Sequence, residues 1–147
     1  MSDVEADEIA GKKFKRAEAA NFLQDGALVF DAEDCERFIA VHIAKLPGGG
    51  AWDGKLYEAG GDQRDMYFTE LSARMKRDSE GRPMGLSSAK GIHALLLKHT
   101  LIDDSTGKAV KAEWIGALPA HVTQVLYDYC RTMSAIGEEA VAKVGEN

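Results

Sequence analysis

The chain has 147 residues, of which 45% are hydrophobic and 29% charged, and its formal net charge is −6. That length suits one compact core, and the composition excludes general disorder. The negative balance argues against a phosphate-backbone binder, which needs a concentrated basic surface, so no nucleic-acid partner is expected. A local basic patch stands at Lys12, Lys13, Lys15 and Arg16, and its plainer reading is a solvated charged segment. No apolar run approaches the roughly 18 residues of a membrane span. The acidic N-terminus lacks the basic-then-apolar order of a secretory signal, so a cytoplasmic location is expected. Cys35 and Cys130 lie far apart and are expected to stay reduced.

Residues 1–12 open on a run of acids with little to bury and are read as a flexible tail, with residues 13–147 as a single domain. Residues 15–24 suit a short helix with Ala19, Phe22 and Leu23 on one face, and Gly26 breaks it. A β element is expected over residues 27–58. It begins with the apolar run Ala27, Leu28, Val29 and Phe30. Residues 37–46 give the clearest strand signal: Phe38, Ala40, His42, Ala44 and Leu46 point one way, and Ile39, Val41, Ile43 and Lys45 the other. Both faces are largely apolar, which predicts cover on each side. Pro47 and three glycines end that strand, and residues 52–58 read as its return.

A helical part is expected over residues 62–146. Asp62 can cap a helix whose Tyr67, Phe68, Leu71 and Met75 form a stripe supported by a Glu70–Arg74 pair. Residues 77–85 read as a polar loop. Ser87 or Ser88 starts a second helix with Ile92, Leu95, Leu96, His99 and Ile102 on one face. Residues 103–107 form a turn that lacks the spacing of a calcium loop, and residues 111–116 a short helical turn around Trp114. Pro119 opens the most regular helix, with Val122, Val125, Leu126, Tyr129, Met133 and Ile136 in helical spacing. A short last helix follows Gly137, over residues 138–144. The expected fold is therefore α+β but predominantly α, a small N-terminal β-hairpin element followed by about four helices.

Nothing in the chain marks a reaction centre. The histidines at 42, 93, 99 and 121 lack the i, i+4 spacing of a helical zinc pair. No strained Gly-x-Ser-x-Gly turn is present, and the glycines at 48–50 are not followed by the Gly-Lys of a phosphate loop. No catalytic residue, metal or cofactor is assigned, and the chain is read as a non-enzyme. Trp52, Tyr57, Trp114, Tyr127 and Tyr129 either anchor an interface or fill the core. A free edge at 37–46 is a further route to self-association.

The order of these parts resembles phage tail assembly chaperones from Ile39 to the C-terminus. An apolar β segment ends in a Gly-rich turn in Val41-His42-Ile43-Ala44-Lys45-Leu46-Pro47-Gly48-Gly49. A polar helix start follows in Gly61-Asp62-Gln63-Arg64-Asp65-Met66-Tyr67-Phe68. An apolar helix runs into an acidic turn from Ala94 to Asp104, and Leu118-Pro119-Ala120 opens a long helix. Ile136-Gly137-Glu138-Glu139-Ala140-Val141 and the terminal Asn147 match the family's close. Residues 1–36 have no counterpart, and His42 and Lys45 depart from the pattern.

The resemblance implies a non-enzymatic assembly factor of long-tailed, siphovirus-type phages or prophages. Such a factor binds the tape measure protein, helps recruit the tail tube protein, and acts in the host cytoplasm without entering the mature virion. A homo-oligomer, with no membrane partner, is expected. The contact residues chosen on this reading are Trp52 and Tyr57 with Val122, Val125, Tyr129 and Met133 from the 119–136 helix. A competing reading is a structural tail or head-tail connector protein of the virion, which predicts a larger β content. An enzyme or regulator would need a pocket with perturbed ionisable groups.

Overall fold

A computed structural model describes residues 6–87 and 89–137. In chain order, β1 (Ala6–Ile9) and β2 (Lys12–Lys15) form a hairpin, and a 3-10 turn covers Ala19–Asn21. A second, very short hairpin joins β3 (Leu23–Gln24) to β4 (Ala27–Leu28), and α1 (Ala32–Cys35) is a single turn. Next come β5 (Phe38–Ile43), β6 (Trp52–Tyr57) and α2 (Gly61–Ala73), then a third minor hairpin of β7 (Met75–Arg77) and β8 (Pro83–Leu86). The rest comprises α3 (Ala94–Thr100), β9 (Leu101–Asp103), α4 (Ala112–Gly116) and α5 (Ala120–Met133).

The expectation of a predominantly helical chain with one hairpin and about four helices is overturned. The described residues hold five helices and nine strands in four small sheets, a mixed α/β fold. Most of the unexpected strands are two to four residues long, too short to show a period of two. The expected tail is instead β1–β2 from Ala6 onward, turned by Ala10 and Gly11 at φ 53° and 78° and pinned by buried Ile9 and Phe14. The expected helix over 15–24 is also absent. Asp25 and Gly26, at φ 49° and 83°, turn the chain straight back. The polar loop 77–85 is a hairpin end, closed by Asp78, whose carboxylate accepts from the Glu80 and Arg82 amides at 2.9 Å each. The helix expected over 138–144 lies outside the described residues.

The organising layer is the antiparallel sheet β5-β6-β9. Ile39, Leu56 and Leu101 are aligned across it and all buried, and Trp52 and Gly54 share that inner face. The outer face carries Ala40, His42, Asp53 and Lys55, so β5 is covered on one face and not on two. Helices α3 and α5 pack on the inner face. In α3, Ala94, Leu95, Leu96 and Leu97 are all buried in succession, which is how a helix enclosed on every side reads. That helix ends earlier than expected, because Ile102 belongs to β9. The Glu70 carboxylate pairs with Lys98 Nζ at 2.6 Å, whereas Arg74 donates to the Lys90 carbonyl. Asp62 does not cap α2. The Gly60 amide donates instead to Gln63 Oε1 at 2.9 Å.

Two details lock the layers together. Trp52 lies along its own strand over Gly54 and meets Trp114 from α4, with ring centroids 4.8 Å apart. A β-carbon at position 54 would sit 2.6 Å from Trp52 Cζ2, and closer still to Cη2 and to the Ile102 carbonyl oxygen. Only glycine fits there. Opposite, the Cys130 thiol donates to Thr100 Oγ1 at 3.4 Å, and the Ala59 amide donates to Ser134 Oγ at 2.9 Å. Buried polar atoms of α3, α5 and the β6–α2 link are thereby satisfied within the core.

Candidate interaction surface

Asp25-Gly26 places two residues of positive φ at a two-residue turn, which suits the right-handed twist of a hairpin. The turn throws Leu23, Leu28, Val29 and Phe30 outward, at 56%, 55%, 43% and 56% exposure. Phe22 anchors them: it is buried, its ring lies 4.7 Å from that of Phe30, and its carbonyl accepts from the Val29 amide at 2.8 Å. Four large apolar side chains stand exposed within eight residues, a concentration of the kind that marks a partner site. Sequence reasoning placed none of its candidate contacts here, although the Asp-Gly turn between apolar pairs was a usable signal.

The contact residues read from the sequence are dispersed by the fold. Trp52 is 8% exposed and Met133 fully buried, so both are core residues. Tyr57 is half-buried on the outer sheet face, 5.3 Å from the Phe38 ring, and Val122 is half-buried in α5. Val125 and Tyr129, at 49% and 38% exposure, stand one turn apart on the exposed side of α5. The apolar stripe of that helix is spent inside, on Leu126, Cys130 and Met133. Of the six, Val125 and Tyr129 alone share an exposed face.

A third surface is the outer edge of β5, which pairs with β6 and with no other strand among the described residues. The Glu58 amide donates to the Arg37 carbonyl, so alternate residues 39, 41 and 43 face β6. Phe38, Ala40 and His42 therefore direct their backbone groups outward. Lys12 Nζ takes the Phe38 carbonyl at 2.9 Å, and Ala40 and His42 continue the edge.

The ionisable groups have structural surroundings. Tyr67 and Tyr127 share a hydroxyl contact of 2.7 Å, and His93 stacks on Tyr127 at 4.5 Å. Burial pushes the Tyr67 phenol well above its ordinary value and pulls the His93 imidazole below its own. Burial also raises the Cys130 thiol. His42 Nδ1 and Asp53 Oδ1 lie 2.6 Å apart in a solvent-exposed cross-strand pair. Among the described residues, no three His, Cys, Asp or Glu side chains gather as a metal site, and no helix is long and apolar enough to cross a membrane. No family model, curated protein or solved structure matches the chain.

Proposed function

We propose that the chain is a tail assembly chaperone that binds the tape measure protein and helps recruit tail tube subunits, acting as a homo-oligomer in the host cytoplasm without catalysis. The observation that carries this reading is the exposed apolar hairpin at 22–30 on an acidic chain. Such a hairpin can cover a partner's apolar stripe until another subunit replaces it. The free β5 edge supports self-association. The order of motifs from Ile39 onward supports the family assignment.

Co-expression with the gene product encoded immediately downstream, followed by size exclusion with light scattering, tests the proposal. Co-elution with a long helical protein that is insoluble alone is expected, and Leu28→Asp with Phe30→Asp should abolish it while the fold persists. The competing virion-protein reading gains from the strand content, which exceeds what the chaperone reading led us to expect. A chain that elutes alone and is recovered from purified particles would replace the first reading by the second.

A further inference from the structure

The central sheet has one sealed edge and one open edge. Beyond β9, the Val110 amide donates to the Leu101 carbonyl at 3.0 Å and the Asp103 amide to the Lys108 carbonyl at 2.9 Å, with a bridge between Ile102 and Ala109. Beyond β5, Lys12 closes the Phe38 carbonyl. No hydrogen bond reaches the backbone of Ala40 or His42 from that side among the described residues. The open stretch lacks the devices that blunt an edge: it holds no proline or lysine, and its pairing with β6 runs from Phe38 to Ile43 without a bulge.

The residues of this stretch favour their own copy as the occupant. Ile39-Ala40-Val41-His42-Ile43 reads nearly the same in both directions about Val41. Ile39, Val41 and Ile43 face the core side, where Val41 and Ile43 are packed against the core but only half-buried. Antiparallel pairing about a twofold axis at Val41 sets Val41 on its twin and Ile39 on the second copy's Ile43. The rim of one core is then covered by the rim of the other. On the outer face, Ala40 meets the second copy's His42, and no like charges stand directly opposite. Both residues direct their backbone groups outward, so each such pair exchanges both of its N–H···O bonds. Pairing about Ala40 instead would need the Phe38 carbonyl that Lys12 already holds. Pairing about His42 would set the two imidazoles against each other and Lys45 opposite Ile39.

We propose that β5 pairs antiparallel with β5 of a second copy through Ala40 and His42, joining the two central sheets into one continuous sheet. The interface rests on the homo-oligomer in the function proposed above, and it leaves the hairpin at 22–30 free for another partner.

The test uses the full chain, with Cys35→Ser in every cysteine variant to remove the exposed native thiol. Val41→Cys places two thiols on directly opposed residues, about 4.5 Å apart between α-carbons and within disulfide range. Mild oxidation of concentrated protein should convert most of it to a covalent dimer on a non-reducing gel. Ala40→Cys, offset from its own twin, should give about tenfold less. Light scattering should show the parent passing from monomer to dimer as concentration rises. Ala40→Pro removes an outward donor, keeps the β6 ladder, and should weaken the dimer about tenfold. Ala40→Lys, at the same exposed position, decides the matter if the proline variant does not fold. A chain that stays monomeric at every concentration overturns both this interface and the homo-oligomer. An oligomer that Ala40→Lys leaves intact and Val41→Cys does not link overturns the interface alone. A monomer that loses its downstream partner on Ala40→Lys gives the edge to a foreign strand and overturns the second copy. A β5 dimer that ignores the downstream gene product upholds the interface and removes the function proposed above.

Discussion

Gly54→Ala isolates the packing that fixes the central sheet. The added methyl would meet Trp52 Cζ2 at 2.6 Å, with Cη2 and the Ile102 carbonyl oxygen nearer still. The carbonyl belongs to the neighbouring strand, so relief must come from the indole or from separation of β6 and β9. Trp52 is 8% exposed and braced by Trp114, which leaves the ring little room. Overpacking of this kind costs about 1–3 kcal/mol, and expelling the indole approaches the roughly 3–5 kcal/mol of a buried tryptophan truncation. Taking about 3 kcal/mol, the melting temperature should fall by roughly 6–12 °C for a chain of this size. Thermal denaturation followed by far-UV circular dichroism measures the loss, and the near-UV signal of the Trp52–Trp114 pair should change with it. Gly61→Ala is the control, since its β-carbon meets nothing within 4 Å. A Gly54→Ala protein within about 0.5 kcal/mol of the parent, the usual range of a neutral surface change, and with an unaltered near-UV spectrum, would refute the packing argument.

His93 has its imidazole depressed below the ordinary 6.5 by burial, so the folded state binds fewer protons than the unfolded one. Its contribution to stability is present above 6.5 and lost as pH falls below it, with a slope of at most about 1.4 kcal/mol per pH unit. His93→Phe keeps the ring on Tyr127 and should flatten that part of a urea-denaturation series between pH 7 and 5. Tyr67→Phe removes the 2.7 Å contact with Tyr127 and should cost about 0.5–1.5 kcal/mol, read as a lower urea midpoint. A thiol reagent should modify exposed Cys35 in the native protein and reach buried Cys130 only after unfolding; two equally fast thiols would contradict the core described above.

The parts of the fold legible in the sequence are those long enough to repeat. β6, α2 and α5 stand close to where their periodicity puts them, and α4 surrounds Trp114 as expected. Strand β5 was visible, but its exposed face was not. Ala40 and Ala44 fit cover or solvent equally well, and alternation alone cannot say which. The minor hairpins were missed for a different reason. β3 and β4 contain two residues each and declare themselves through the turn, and Gly26, which reads as a helix stop in the sequence, is half of the Asp25-Gly26 reversal. Two of the interface candidates lie in the core, because large apolar character does not report exposure. Trp52 and Met133 are large and apolar because the core needs them. The burial of Arg37 gave no sequence signal, since it depends on β2 arriving from more than twenty residues away.

The central sheet is assembled from neighbours of unequal distance along the chain. β5 finds β6 across a tight glycine turn, but Leu56 must wait for Leu101. During synthesis, at roughly 5–20 residues per second, that interval lasts a few seconds. Through it, the growing chain presents Ile39, Trp52 and Leu56 on a hairpin whose second strand has an unsealed side. The nascent protein is therefore open to mispairing until β9 is made, and a pause between β6 and β9 would lengthen the window in which two emerging chains can join by the wrong strands.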